Sequence, residues 1–288
     1  MPPEGRRLPW LKILFTPWPL RPRGVERITD LRYGPAADSS NLLDVYRSRA
    51  RPHAAPAFVY FHGGRFRWGH KHREARALLH RLASAGWVCV SANYRLSDTP
   101  IEGFPDHLID VKRVIGWVRT VGLTYGADGA SVVLAGSSAG AHLAAMAALT
   151  PNDRRFQPGF EALDTSVTAA VGLGGYYGRL GPDDDGPASS PCAHTGPHAP
   201  PFLVVHGDRD TYTPIEGARE LVTRLRATSL RPTVLVELPG GQHAFDLFLS
   251  IRFAHVVDAV ERFASWVSAQ PVRSFTSGPI GPDVKDGS

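Results

Sequence analysis

Short, continuously apolar runs alternate along the chain with longer stretches in which apolar residues fall at helical spacing. "APAFVYFHGG" (55–64), "WVCVSANYR" (87–95), "SVVLAG" (131–136), "SVTAAVGLGG" (166–175), "PFLVVHG" (201–207) and "PTVLVELPG" (232–240) are such runs. Each predicts a strand covered on both faces. Between them, "HREARALLHRLASAG" (72–86) has helical spacing and stops at Gly86. "FPDHLIDVKRVIGWVRTVG" (104–122) places Leu108, Val111, Ile115 and Val118 on one face. "AGAHLAAMAALT" (139–150) follows a strand directly. "PIEGARELVTRLRAT" (214–228) has acid early and arginine late, as a helix dipole favours. "AFDLFLSIRFAHVVDAVERFASWVSA" (244–269) predicts one or two closing helices. Before all of these, "ERITDLRYG" (26–34) and "NLLDVYRSR" (41–49) alternate apolar with polar and flank the turn-forming "PAADSS", the pattern of an antiparallel hairpin. Strand–helix alternation of this kind predicts an α/β fold: a mostly parallel eight-stranded sheet with an antiparallel N-terminal hairpin and helices on both faces.

No internal repeat or linker interrupts the pattern, which predicts one domain over residues 26–270. Residues 1–25 read as an N-terminal arm. Its apolar "LPWLKILFTPWPL" (8–20) is too short and too broken by Pro17 and Pro19 to span a bilayer. It is expected to pack on its own domain or act as a partial lid, with a peripheral membrane contact through its tryptophans as the alternative. Residues 271–288 are a polar Gly/Pro tail expected to be disordered. With 43% hydrophobic and 20% charged residues the composition is that of a globular protein. The net charge of +5 rests almost wholly on scattered arginines, with no basic run interleaved with aromatics, which argues against nucleic acid as a partner. Two cysteines, Cys89 and Cys192, make neither a disulfide framework nor a metal site. A cytoplasmic location is expected, and oligomeric state is left open, a homodimer being one option.

The break in the pattern at "VVLAGSSAGAHLAAM" (132–146) carries the chemistry. Gly136-Ser137-Ser138-Ala139-Gly140 fits G-x-S-x-G, in which a strand turns at once into a helix and its apex hydroxyl stands clear of the sheet. Small residues two before and two after the apex let neighbouring backbones pass. A serine needs a base, and the base an orienting group. In an open α/β sheet such groups gather beyond the carboxyl ends of the strands. "LVVHGDRDTYTP" puts Asp208 and Asp210 past one strand end, and "VELPGGQHAFD" puts His243 past the next. Asp210 is the preferred acid. Asp208 is better placed to brace its loop, and Asp246 reads as a surface or capping residue of the last helix. "YFHGGRF" ends an earlier strand, and successive N–H groups of Gly63, Gly64 and Arg65, with that of Ala139, would make an oxyanion hole. His62 is expected to brace that loop. Trp18, Phe66, Trp68, Tyr176 and Tyr177 are candidate pocket walls, with plain core packing as the equal alternative.

On these blocks, "GSSAGAHLA", "HGDRD", "GGQHAF" and "HGGRFRWG…SANYRL", the chain resembles the α/β-hydrolase superfamily, and within it the hormone-sensitive-lipase-like carboxylesterases with an HGG(G) oxyanion motif. The similarity runs from about residue 31 to the helix after His243. It implies the α/β-hydrolase fold, Ser138 as nucleophile, Asp210 as acid, His243 as base, main-chain oxyanion donors, no cofactor or metal, and small carboxylic esters as substrates. The third glycine of that motif is Arg65 here, whose side chain would crowd or charge the pocket rim. The serine block is also similar to kynurenine-formamidase-like amidases, which keeps C–N cleavage as the alternative, and a non-catalytic ligand-binding protein of this fold is a third reading. Only residues 179–201 stand where many relatives carry a helical cap. An open pocket suited to short acyl chains is therefore expected.

Overall fold

The computed structural model describes residues 24–50, 53–100, 102–180, 189–247 and 250–270. The arm up to residue 23, with Trp18, and the tail from 271 lie outside the described residues. Eight strands form one sheet: β1 (Val25–Arg32), β2 (Leu42–Ser48), β3 (Ala55–Phe61), β4 (Val88–Ala92), β5 (Ala127–Ser137), β6 (Ala169–Leu173), β7 (Phe202–Gly207) and β8 (Thr233–Leu238). Their spatial order is β1-β2-β4-β3-β5-β6-β7-β8. β1 pairs with β2, and β2 with β4, antiparallel; every later pairing is parallel. Five helices accompany the sheet: α1 (Arg76–Ser84), α2 (Asp106–Thr120), α3 (Ala139–Leu149), α4 (Ile215–Thr228) and α5 (Ile251–Ser268).

Both faces of the central strands are dry, which is why they read as unbroken apolar runs. Along β3, Ala57, Val59 and Phe61 enter the core shared with α2 and α3, while Phe58 and Tyr60 enter the core shared with α1 and α5. Helix α4 packs with Ala145, Ala148 and Phe202 in a third cluster. Among the described residues no helix is long and apolar enough to cross a membrane.

Two predicted helices start later than their sequence spacing suggests. α1 begins at Arg76 rather than 72, because Ala75 holds a left-handed backbone (φ 53°) that ends the preceding loop. α5 begins at Ile251, where the Ser250 hydroxyl accepts the Phe253 N–H at 3.0 Å, an N-cap. Residues 243–246 form turns ahead of it.

The edge strand β1 is irregular. Its register shifts between Ile28 and Leu31, and Asp30 has φ 61°. The Asp30 N–H donates to the buried Asp44 carboxylate at 3.0 Å. The buried Lys71 ammonium binds both Asp30 (2.8 Å) and Asp44 (2.7 Å), and Arg27 binds Asp44 from the other side.

At the centre, β5 runs into α3 with no loop, and α3 lies close against the end of β3. A Cβ on Gly140 would sit 2.1 Å from the Phe61 carbonyl oxygen, and one on Gly136 2.3 Å from the Gly140 carbonyl carbon. Both obstacles are backbone, which cannot rotate aside. Gly140→Ala is therefore expected to cost about 2–3 kcal/mol by overpacking. Gly217→Ala, in α4 with open space at its Cβ, should instead stabilise by about 0.5–1 kcal/mol through helix propensity. Urea denaturation of the two variants checks the contrast.

Candidate active site

A single residue, Ser138, makes the turn between β5 and α3. Its backbone (φ 53°, ψ −114°) lies outside the common regions for an L-residue, a strain of about 1–3 kcal/mol. The Ser138 N–H donates to Leu173 O at 3.0 Å, fixing the turn to β6. The side chain is buried at the floor of a cleft.

Two loops at the same sheet edge reach this serine. After β8, the loop carrying His243 brings the ring Nε2 to 3.1 Å from Ser138 Oγ. After β7, Asp210 brings Oδ2 to 2.8 Å from His243 Nδ1. Asp210 is itself held by several groups. Its Oδ1 accepts the N–H groups of Tyr212 and Thr213, both at 2.9 Å, and its Oδ2 lies 2.9 Å from the Thr213 hydroxyl. Burial pushes its carboxyl up, but the Thr213 N–H, the His243 ring and the Tyr212 N–H outweigh burial and leave it below the usual carboxylate range. The buried His206 supports the loop, with its Nε2 2.7 Å from Thr213 O and 3.5 Å from Asp210 Oδ2. Other histidines in the interior serve packing. His62, His107 and His142 are each pushed down to about 4 by burial. His62 stacks on Tyr94 at 4.5 Å and its Nδ1 lies 2.6 Å from Gly63 O, bracing the loop.

The loop after β3 faces Ser138 from the opposite side. A Cβ on Gly63 would lie 3.2 Å from that of Ser138, so the loop and the serine are in near contact. The expected set of oxyanion donors needs one correction. The Gly63 N–H donates to the Glu74 carboxylate at 2.7 Å and is not free to bind substrate. The candidate donors are Gly64, Arg65 and Ala139, the last being the first residue of α3, whose N–H has no partner within the helix. Arg65 adopts φ 58° and Phe66 φ 64°. Only glycine takes this region without penalty, and an arginine there costs about 1–2 kcal/mol.

The BD-FAE family profile matches residues 43–175. Probable carboxylic ester hydrolase LipM of Mycobacterium tuberculosis is 39% identical over 92% of this chain and 68% of its own length. The chain belongs to the carboxylic ester hydrolases of the α/β-hydrolase superfamily. Esterase LipQ of the same organism is 36% identical over 90% of this chain and 66% of its own length, so the hydrolase spans about two thirds of these relatives. Its fold matches that of Thermogutta terrifontis esterase 2, solved after phosphoramylation by tabun, with a TM-score of 0.73 at 23% identity, over 85% of this chain and 95% of that one.

The cleft above Ser138 has a volume of about 640 Å³. Among the described residues Phe66, Tyr176, Leu180 and Tyr212 form its apolar walls, and Arg65 and Arg179 are its charged members. Of the expected walls, Phe66 and Tyr176 are present. Tyr177 turns into the core beneath β6, its hydroxyl against Gly172, and Trp68 stands 51% exposed outside the lining. Among the described residues no group of three or more His, Cys, Asp or Glu could hold a metal ion.

Two carboxylates of the hydrolase were not foreseen in their observed roles. Glu74 falls within the stretch predicted as helix, yet it lies in the loop before α1, accepting the Gly63 N–H and facing the Tyr60 hydroxyl at 3.3 Å. Asp246 was expected at a surface and is 2% exposed, with Oδ2 lacking a hydrogen-bond partner. Burial, then the nearby Asp246 charge, push the Glu74 carboxyl from 4.5 up to about 7 against the opposing pull of the Gly63 N–H. A carboxyl raised on folding stabilises the fold fully below its unfolded value, and this contribution is lost as pH rises through the folded value. Glu74→Gln, which keeps an acceptor for Gly63 but cannot ionise, should therefore gain in Tm relative to the unsubstituted protein between pH 5 and pH 8. Thermal unfolding across that range checks it; parallel Tm curves would count against the assignment.

Proposed function

We propose that the chain is a serine esterase hydrolysing short-chain carboxylic esters through an acyl-enzyme on Ser138, His243 and Asp210. The observation that carries the reading is the single imidazole of His243 held between Ser138 Oγ at 3.1 Å and Asp210 Oδ2 at 2.8 Å. In this reading Nε2 takes the hydroxyl proton as Oγ attacks the ester carbonyl, and returns it to the leaving alkoxide. Asp210, kept anionic by its N–H donors, holds Nδ1 protonated and stabilises the imidazolium. The carbonyl oxygen gathers negative charge against the N–H groups of Gly64, Arg65 and Ala139, close to the start of α3. A water activated by the same imidazole then releases the acid.

The preference for short acyl chains is supported by the form of the cleft. Between β6 and β7, where a cap would stand, the described residues contain a single short 3-10 turn, Pro191–His194, and no α-helix. Arg65 and Tyr212 close one side of the mouth, joined by a 3.0 Å hydrogen bond from guanidinium to phenol.

A series of p-nitrophenyl esters of graded length tests the reading. The acetate and butyrate should be cleaved faster than the palmitate, and faster than N-formylkynurenine, the amide comparison. Ser138→Ala should lower kcat by about 10⁵–10⁶ while leaving Tm and circular dichroism intact. Turnover retained in the purified variant would overturn the assignment of the nucleophile.

A further inference from the structure

The reading above assigns the main chain of Arg65 a task but leaves its side chain without one. The backbone gives reason to ask what that side chain does. Arg65 sits at φ 58°, where a glycine would fit without penalty, so the arginine is kept at a position that disfavours it. Its guanidinium reaches across the mouth of the cleft to a residue 147 positions away. Nη1 donates to the Tyr212 hydroxyl at 3.0 Å, and Cζ lies 5.6 Å from the centre of the Tyr212 ring. The other face of the relation is the base itself. The Tyr212 ring stacks on the His243 imidazole with centroids 5.2 Å apart and planes 24° from parallel. The cation therefore stands one aromatic ring away from the proposed base, at the rim of the same cleft.

Among the described residues this guanidinium has no anionic partner. The side chain is exposed, its hydrogen bond goes to a neutral phenol, and no described aspartate or glutamate lines the cleft. A guanidinium presents five donors in a plane, and one phenol oxygen occupies a single one of them. The remaining edge matches a carboxylate, which it can hold with two parallel N–H bonds. Arg179 also lines the cleft, a second arginine among its described residues. Tyr212 is anchored in turn, its N–H donating to Asp210 at 2.9 Å, so the arginine is held by a residue fixed to the acid loop.

We infer that the Arg65 side chain is a substrate-recognition residue that selects esters bearing a free carboxylate, such as half-esters of dicarboxylic acids, over neutral esters of the same shape. The inference rests on the esterase reading for the ester bond itself. The carboxylate binds at the rim while the ester carbonyl lies over Ser138. A ground-state contact of this kind lowers KM more than it raises kcat.

The test compares p-nitrophenyl hydrogen glutarate with p-nitrophenyl butyrate, read as the ratio of their kcat/KM values. At low ionic strength the unsubstituted protein should favour the glutarate, and the ratio should decline with added sodium chloride, as a solvent-facing charge contact does. In Arg65→Gln the ratio should drop about 10-fold, in the range for a hydrogen bond to a charged group, mainly through KM of the glutarate. Arg65→Lys should recover part of it. A ratio that is insensitive to salt and equal in the unsubstituted and Arg65→Gln proteins would overturn the inference, leaving Arg65 as a clasp on Tyr212. Should Arg65→Gln fail to fold, the salt dependence of the unsubstituted protein decides alone. Binding of p-nitrophenyl hydrogen glutarate to Ser138→Ala, measured by calorimetry with and without Arg65→Gln, separates the two readings. A loss of affinity supports carboxylate recognition whether or not Ser138 is the nucleophile, and equal affinity overturns it. Failure of butyrate hydrolysis in the unsubstituted protein would instead strike the esterase reading.

Discussion

The close approach of α3 to the end of β3 sets the geometry of the whole sheet edge. Because Gly140 packs so close to the Phe61 and His62 carbonyls that a Cβ would collide with them, the loop at 62–65 and the turn at Ser138 form one packed body. The strained backbone of Ser138 is tolerated because it is held from three sides: by β6 through Leu173 O, by its own helix, and by Gly63. In the proposed reading, the donors for a developing oxyanion would thereby be held near the hydroxyl before substrate arrives, which is where electrostatic preorganisation is most effective. The loops bearing Asp210 and His243 are docked onto this body separately, each by its own local hydrogen bonds.

This division explains which parts were legible in the sequence. Strands buried on both faces have to be apolar throughout, so β3 to β7 announced themselves. Glycines two residues either side of Ser138 reported a backbone contact that any side chain would block. That Asp210 and His243 would lie near Ser138 could be read because strand ends in an open sheet converge, so position in the alternation stood in for position in space. Glu74 gave no such signal. Its neighbours have helical spacing, and only the left-handed Ala75 detaches it from the helix and turns it beneath Gly63. The commitment of the Gly63 N–H was hidden for the same reason, since a motif of successive glycines does not say where each N–H points. Asp246 was misjudged, and Tyr177 left open between pocket and core, because burial of a single loop residue depends on the path of a turn, not on periodicity. Thr213 was readable in principle: an acid followed three residues later by a threonine before a proline-initiated helix is a capping pattern, here used to orient the acid.

The loop at 62–65 is tied to its neighbours twice, by different physics. Beneath the sheet edge, Glu74 and Asp246 bury carboxyl groups against Tyr60, at an electrostatic cost that burial makes explicit in their raised affinities for protons. Above it, Arg65 and Tyr212 join the 62–65 loop to the loop of Asp210 through a solvent-facing contact that salt can weaken. The lower tie gives rigidity, and the upper one leaves a charge within reach of whatever enters the cleft.

The irregular first strand has an effect of its own. Among the described residues β1 is the outermost strand, where a regular ladder would offer unpaired amides to any passing extended chain. The shift of register at Asp30 and the placement of Lys71 beneath it spoil that template from within. A second copy meeting this border would have to straighten a bend pinned by a buried ion cluster before it could zip on, so the architecture resists lateral growth into fibrous aggregates at the one margin where its strands run antiparallel.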